Sequence, residues 1–467
     1  TIDFVTRRGA TALSEAAKGY QDEVVDMLLD LGAGVNARND LGETPLVSVM
    51  QQGGTLRGKE EERLVAMLEK LLLAGAEVNF TTAYGVSPLM LACFNDMPGT
   101  ADLLIRHGAN ISETTFKATP LMAAIEASSI EVAEILLAAG ADINGESKGG
   151  QTALTRACCD GNVEMARFAI DHGADINHQT KHFQNPLLLA CHHNTSEVVR
   201  LLLQRGANLR SENAMNLTPL VTAARQGGVE TVNVLVEFGV DKNAMTRSGL
   251  TPLMEATQFG RVGVVEALLR AGADHSIVSP MLGTTALIQA VQLGNVEAVH
   301  LFVRFGASVT FEVTPAQVMA AAKRMAAQKK EAEAAASSVD ESKSTATAPS
   351  RAGTKADADD DDMAALGLDD GGLGDSAITT AIETANAELL RFLLNANGVL
   401  GYLVDHRAEL LRLAASVGDS AITDLIESGL MAWDREQAAL AVHRIMMAPV
   451  HDELLAQVLR RGADDGG

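Results

Sequence analysis

Residues 248–274 read SGLTPLMEATQFGRVGVVEALLRAGAD, and the fold is decided by this stretch. Thr251 can offer its hydroxyl to an orphan helical N–H, and Pro252 stands at the first helical position, where its missing N–H is not needed. Leu253, Ala256 and Thr257 follow at helical spacing, and the small residues let a neighbouring helix approach closely. Phe259-Gly260 breaks this helix. Val264, Val265, Ala267, Leu268 and Leu269 form a second apolar series, and Gly272 ends it where a left-handed residue is required. The unit is two short antiparallel helices with one apolar side uncovered.

The closing glycine recurs as Gly32, Gly75, Gly108, Gly140, Gly173, Gly206, Gly239, Gly272 and Gly306, at spacings of 43, 33, 32, 33, 33, 33, 33 and 34. A near-constant period marks a solenoid in which each repeat covers its neighbour's apolar side. The helix start recurs as Thr44-Pro45-Leu46, Ser87-Pro88-Leu89, Thr119-Pro120-Leu121, Asn185-Pro186-Leu187 and Thr218-Pro219-Leu220, with alanine for proline after Thr11, Thr152 and Thr285. Gly-Ala-Asp-Ile-Asn closes repeats at 140–144 and 173–177. In period and in the Thr-Pro-Leu start the chain resembles the ankyrin repeat family. The resemblance implies an all-α, curved solenoid of about twelve helix-turn-helix repeats with β-hairpin-like loop tips. The family usually has histidine after Thr-Pro-Leu. Here that place holds Ser14, Val47, Met90, Met122, Thr155, Leu188, Val221, Met254 and Ile288, which predicts lower local rigidity.

Residues 1–309 are expected to hold repeats one to nine, with Ala12, Leu13, Val24, Val25, Leu28 and Leu29 as the apolar side of the first. The long second spacing places extra material at Gln51–Glu62, read as a surface loop or a helix extension. Residues 310–336 read as a degenerate repeat start at Thr314-Pro315 followed by a long Ala-rich helix, Ala316–Ala336. Residues 337–375 read as an acidic, low-complexity, disordered insertion, because almost nothing there can be buried. Residues 376–467 read as degenerate repeats with Ile378 and Leu411 in the leucine place. The chain opens on Thr1 and closes on a repeat-end pattern, Gly462-Ala463-Asp464, so a processed or trimmed chain with a continuing array is expected.

The net charge of −23 argues against nucleic acid or anionic membrane as the main partner, since phosphate contact needs concentrated Lys and Arg. No run approaches the ~20 apolar residues of a membrane span, and no signal segment opens the chain. Cys93, Cys158 and Cys191 each lie four residues after the repeat leucine, in a small buried place shared with Ala17, Ala224 and Thr257. Repeats stacked at roughly 8–10 Å keep these thiols too far apart for a disulfide. Free thiols suit a reducing, intracellular compartment, and the expectation is cytoplasmic.

Catalytic motifs are missing: no phosphate loop, no Cys-x-x-Cys and no serine elbow. His172, His178, His182, His192 and His193 gather near repeats five and six, but their spacing does not suit a closed zinc site. Asp357–Asp362 fails the calcium-loop test, with Asp362 where glycine is required and Leu368 where glutamate is required. That run reads as a solvated acidic segment, and the following Met363–Leu368 as a short docking peptide. The matches at Asn110, Asn194 and Asn216 to the glycosylation pattern are read as chance. Asn36, Asn79, Asn144 and Asn177 resemble asparagines hydroxylated in the family, and are read here as turn residues that tolerate unusual dihedrals. No cofactor, metal or small-molecule substrate is expected.

The resemblance places partners on the concave side, at loop tips and at the exposed end of each first helix. The fifth and sixth places after each repeat leucine then give Phe94 and Asn95, Glu126, Asp160, His192 and His193, Arg225 and Gln226, Gln258 and Phe259, Gln292 and Leu293. Loop-tip places give Lys148, His182, Met215, Leu217, Arg247, Leu250, Met281 and Leu282. Met215, Leu217, Leu250, Phe259, Met281, Leu282 and Leu293 suggest an adhesive patch, or else packing against neighbouring loops or the Ala-rich helix. The functional expectation is a non-catalytic interaction scaffold, a subunit of a larger intracellular complex. The alternative is the targeting segment of a larger enzyme or channel.

Overall fold

The computed structural model describes residues 5–6, 9–51, 58–82, 85–115, 118–310, most of 317–330, most of 376–394, 406–417 and 421–428. They divide into two compact units, Thr1–Asp241 and Lys242–Gly467. The expectations for 337–375, for the acidic run and its following peptide, and for the repeat-end pattern Gly462-Ala463-Asp464 lie outside the described residues.

Each of the nine repeats is a helix pair. First helices are Ala12–Lys18, Pro45–Met50, Pro88–Phe94, Pro120–Glu126, Ala153–Asp160, Pro186–His192, Pro219–Gln226, Pro252–Gln258 and Ala286–Gln292. Second helices are Asp22–Asp30, Lys59–Leu73, Pro98–Arg106, Ile130–Ala138, Val163–Asp171, Ser196–Gln204, Val229–Glu237, Val262–Arg270 and Val296–Arg304. The starting Thr, Ser or Asn caps each first helix by accepting the N–H three residues on, at 2.8–3.5 Å. The repeat leucines from Leu13 to Leu287 are buried and form the spine within each unit. Gly272, at φ +77°, closes the Val262–Arg270 helix as a Schellman turn: Ala273 N–H reaches Leu268 C=O and Gly272 N–H reaches Leu269 C=O.

The loop tips are tight turns whose first residue clasps the last. Thr246 N–H donates to Leu250 C=O, and Leu250 N–H donates back to the Thr246 hydroxyl, at 2.9 and 3.2 Å. The side chain of that last residue is drawn under the tip.

Several expectations need correction. Of the six residues expected to line the first repeat, Leu13 and Val25 are buried, Leu28 and Leu29 are half-buried, and Ala12 and Val24 are exposed, because no neighbour covers that side among the described residues. The insert in repeat two extends its second helix to 15 residues where the others have 9, residues 52–57 lying outside the described set. The asparagines at repeat ends are not at unusual dihedrals: none has positive φ. They are clasps between repeats. Asn79 Nδ2 donates to Gly108 C=O at 3.0 Å while its Oδ1 accepts Asn110 N–H at 2.7 Å. Asn36 and Asn144 do the same one repeat on, and Asn177 and Asn243 accept in the same way. The clasps of Asn36, Asn79 and Asn144 thereby also occupy the carbonyl of the glycine that closes the next repeat's second helix.

After repeat nine, residues 317–330 are helical where described. The helix Ala377–Glu383 packs directly on Ala286–Gln292, with Ile378 buried and Ser376 in a capping box with Thr379. The stack of first helices thus continues at 376, and the expected start at Thr314-Pro315 lies outside the described residues. In the helix Arg407–Val417, which also packs on Ala377–Glu383, Leu410 is buried and Leu411 only half-buried, so the inward register is one residue earlier than the spacing predicted.

Candidate partner-binding surface

In the first unit the ends of consecutive first helices carry Phe94, Glu126, Asp160, His192 and His193 exposed, with Asn95, Arg225 and Gln226 half-buried. They are joined across repeats. Arg156 Nε approaches Glu126 Oε2 to 3.8 Å, and Gln226 Nε2 contacts His192 Nδ1 at 2.9 Å. His192 and His193 meet edge to face with centroids 5.2 Å apart. Neighbouring side chains strip water from Asp160 and hold its pKa above the usual carboxylate value, against the pull of Arg156. His193 titrates below the usual imidazole value because of lost hydration first and His192 second. The strip alternates acid, base and imidazole over repeats four to seven, which suits hydrogen bonding to a polar protein surface more than proton transfer to a bound small molecule.

At the tips of this unit Lys148, His182 and Met215 are exposed. Leu217 was expected there and is instead 6% exposed, as the clasped last residue of its tip: its N–H donates to Asn213 Oδ1 at 3.0 Å. Phe183, absent from the expected set, is 56% exposed beside His182. It stands in a column that reads Gly42, Gly85, Gly150, Asn216, Gly249 and Gly283 in other tips, so aligning the repeats by period would have revealed it.

In the second unit Gln258, Phe259, Gln292 and Leu293 are exposed at helix ends, and Arg247, Met281 and Leu282 at tips. Leu250 is 7% exposed, buried for the same reason as Leu217. The helix within 317–330 lies along this loop side: Gln328 Oε1 accepts Met245 N–H at 3.1 Å. Asp274 is partly buried, which opposes ionisation, yet its pKa is lowered by the Ser276 hydroxyl and N–H, with help from His275 and Arg324. Met281 is still 64% exposed, so the helix does not cover it.

Cys93, Cys158 and Cys191 are buried free thiols whose burial pushes their pKa values far up; Cys159, half-buried, is raised to about 11. Thiols so protonated are poor nucleophiles. Among the described residues no group of three His, Cys, Asp or Glu is placed to hold a metal ion, and no helix is long and apolar enough to cross a membrane.

Comparison with known proteins agrees with the repeat geometry. The family model "Ankyrin repeats (3 copies)" matches residues 61–147, 140–213 and 208–279, and the model "Ankyrin repeat" matches 8–40. Such repeats are protein–protein interaction modules. The chain belongs to the ankyrin repeat family. Putative ankyrin repeat protein YahD of Escherichia coli (strain K12) is 35% identical over 111 residues, 23% of this chain and 52% of that protein. The Nuclear factor NF-kappa-B p105 subunit of Gallus gallus is 35% identical over 126 residues, 26% of this chain and 12% of that protein. SH3 and multiple ankyrin repeat domains protein 2 of Homo sapiens is 28% identical over 160 residues, 29% of this chain. The match spans 9% of that human protein, so the similarity concerns repeats and not whole proteins. The human ASB11 ankyrin repeat domain, 23% identical, aligns over 57% of this chain and 99% of its own with a TM-score of 0.42.

Proposed function

We propose that this chain is a non-catalytic scaffold that binds a protein partner along the first-helix ends and loop tips of its repeats, as a subunit of a larger intracellular assembly. The observation that carries the reading is the cross-linked polar strip from Glu126 to Gln226, which no packing within its own unit requires to be exposed. Exposed Phe94 in the first unit and Phe259, Met281 and Leu282 in the second add apolar anchors of the kind that carry binding energy. The acidic net charge supports a protein rather than nucleic acid or an anionic membrane, and the buried free thiols favour a reducing compartment. No small-molecule substrate or cofactor is part of this reading. A second reading is the targeting segment of a longer enzyme or channel; in its favour, matched repeats make up only 9% and 12% of two relatives.

The test is co-purification with mass spectrometry, followed by binding of the recovered partner to variants of the chain. Phe259→Asp with Met281→Asp, and separately His192→Ala with His193→Ala, should weaken binding while far-UV circular dichroism stays unchanged. Loss of helix in these variants would make the residues core. Full binding by both would sink the assigned surface.

A further inference from the structure

Phe183 is held at φ +57° in a tip place where Gly42, Gly85, Gly150, Gly249 and Gly283 also have positive φ. A bulky side chain there meets its own backbone, which glycine avoids. Space at this place differs from tip to tip: a Cβ on Gly150 would come within 2.9 Å of Lys181 N and one on Gly249 within 2.9 Å of Pro280 Cδ, while one on Gly85 or Gly283 would meet nothing within 4 Å, so the strain at Phe183 comes from its φ alone. Burial does not recover the strain, since the ring is more than half exposed. The fold alone therefore has no use for Phe183, and strain of this kind concentrates where a site works.

The surroundings name the chemistry. Lys181 Nζ donates to Lys148 C=O at 2.7 Å and draws two successive tips together, while His178 Nε2 contacts Gly150 C=O at 3.0 Å. Lys148, Lys181 and His182 are exposed on these two joined tips, Lys181 and His182 directly preceding Phe183 in the chain, and neither lysine enters an ion pair among the described residues. Stretches 147–151 and 179–184 contain no Asp or Glu, in a chain of net charge −23; the neighbouring carboxylate, Glu146, faces His178 at 3.8 Å.

We propose that the paired tips at Lys148–Gly150 and Lys181–Phe183 dock an acidic peptide segment of a partner protein. Phe183 anchors an apolar side chain of that segment, and Lys148 and Lys181 receive its carboxylates. The inference rests on the scaffold reading and narrows it to one site and one ligand class.

The test measures fluorescence anisotropy of a labelled peptide, Asp-Glu-Asp-Leu-Trp-Asp-Glu, against the whole chain, with its all-lysine counterpart and an oligothymidylate as comparisons. Saturable binding that weakens with salt is expected for the acidic peptide alone. F183G should lose roughly tenfold or more in affinity while its melting transition moves up by about 2 °C. K148E with K181E should lose affinity comparably, and K148E alone, which leaves the Lys181 bond to the Lys148 carbonyl in place, should lose part of it with melting unchanged. Failure to saturate, equal binding of the comparison probes, or full affinity in F183G and the double variant overturns the site. If affinity falls only in the His192/His193 variant, the tip site fails and the scaffold reading stands.

Discussion

Removing the Asn144 clasp tests whether repeats are tied by side chains as well as by their apolar spine. Asn144 Nδ2 donates to Gly173 C=O at 3.3 Å, and Asp175 N–H donates to Asn144 Oδ1 at 2.7 Å. A hydrogen bond contributes a net ~0.5–1.5 kcal/mol, and water can reach both partners here, so Asn144→Ala should cost about 1–1.5 kcal/mol. In a solenoid this loss falls on one nearest-neighbour term, between repeats four and five. Urea unfolding should then show a midpoint lower by roughly 0.5 M with unchanged slope, and amide exchange at Asp175 should quicken about tenfold. The converse change is available at Arg210, which occupies the same place without the clasp; like Asn144, its N–H donates to the side chain two residues back. Arg210→Asn should recreate the clasp toward Gly239 and Asp241 and raise the midpoint by a similar amount. An unmoved midpoint together with unchanged exchange at Asp175 would refute the reasoning.

Two other outcomes follow from the structure. Glu61 Oε1, on the extended helix of repeat two, accepts Thr100 N–H at 3.1 Å and so caps the next repeat's second helix, whose own cap residue Met97 makes no side-chain bond. Glu61→Ala should therefore cost about 1 kcal/mol in chemical denaturation, and Glu61→Gln, which keeps the acceptor, clearly less. Equal losses would contradict the capping role. Burial holds the Glu113 carboxyl above its ordinary pKa, opposed by the Ser87 hydroxyl. The native state then binds more proton than the unfolded chain just above the ordinary value of 4.5, so stability falls as pH rises through that window. Glu113→Gln should flatten this part of the melting temperature–pH curve, and an unchanged curve would exclude Glu113 as its source.

The repeat architecture was readable from residues because its determinants are local. A capping hydroxyl, a proline beside it and a left-handed glycine act within one turn of chain, so their recurrence announced nine helix pairs and their buried leucines. The same reading put Phe94, Glu126, His192 and Phe259 at exposed helix ends, since position within a short helix settles which side faces solvent. It misplaced Leu217 and Leu250, whose burial comes from a clasp formed by the whole tip. It also read the repeat-end asparagines by backbone habit, when their partners lie in the following repeat.

Residues that meet only when one repeat stacks on the next were invisible in the linear pattern: Asn79 with Gly108, Glu61 with Thr100, Lys181 with Lys148. Periodicity and capping specify each module, because those forces span a few residues. The register between modules decides the clasps, the insert's role and the joining of the Lys148 and Lys181 tips, because it brings together groups about a full repeat apart whose chemistry carries no signal until they touch.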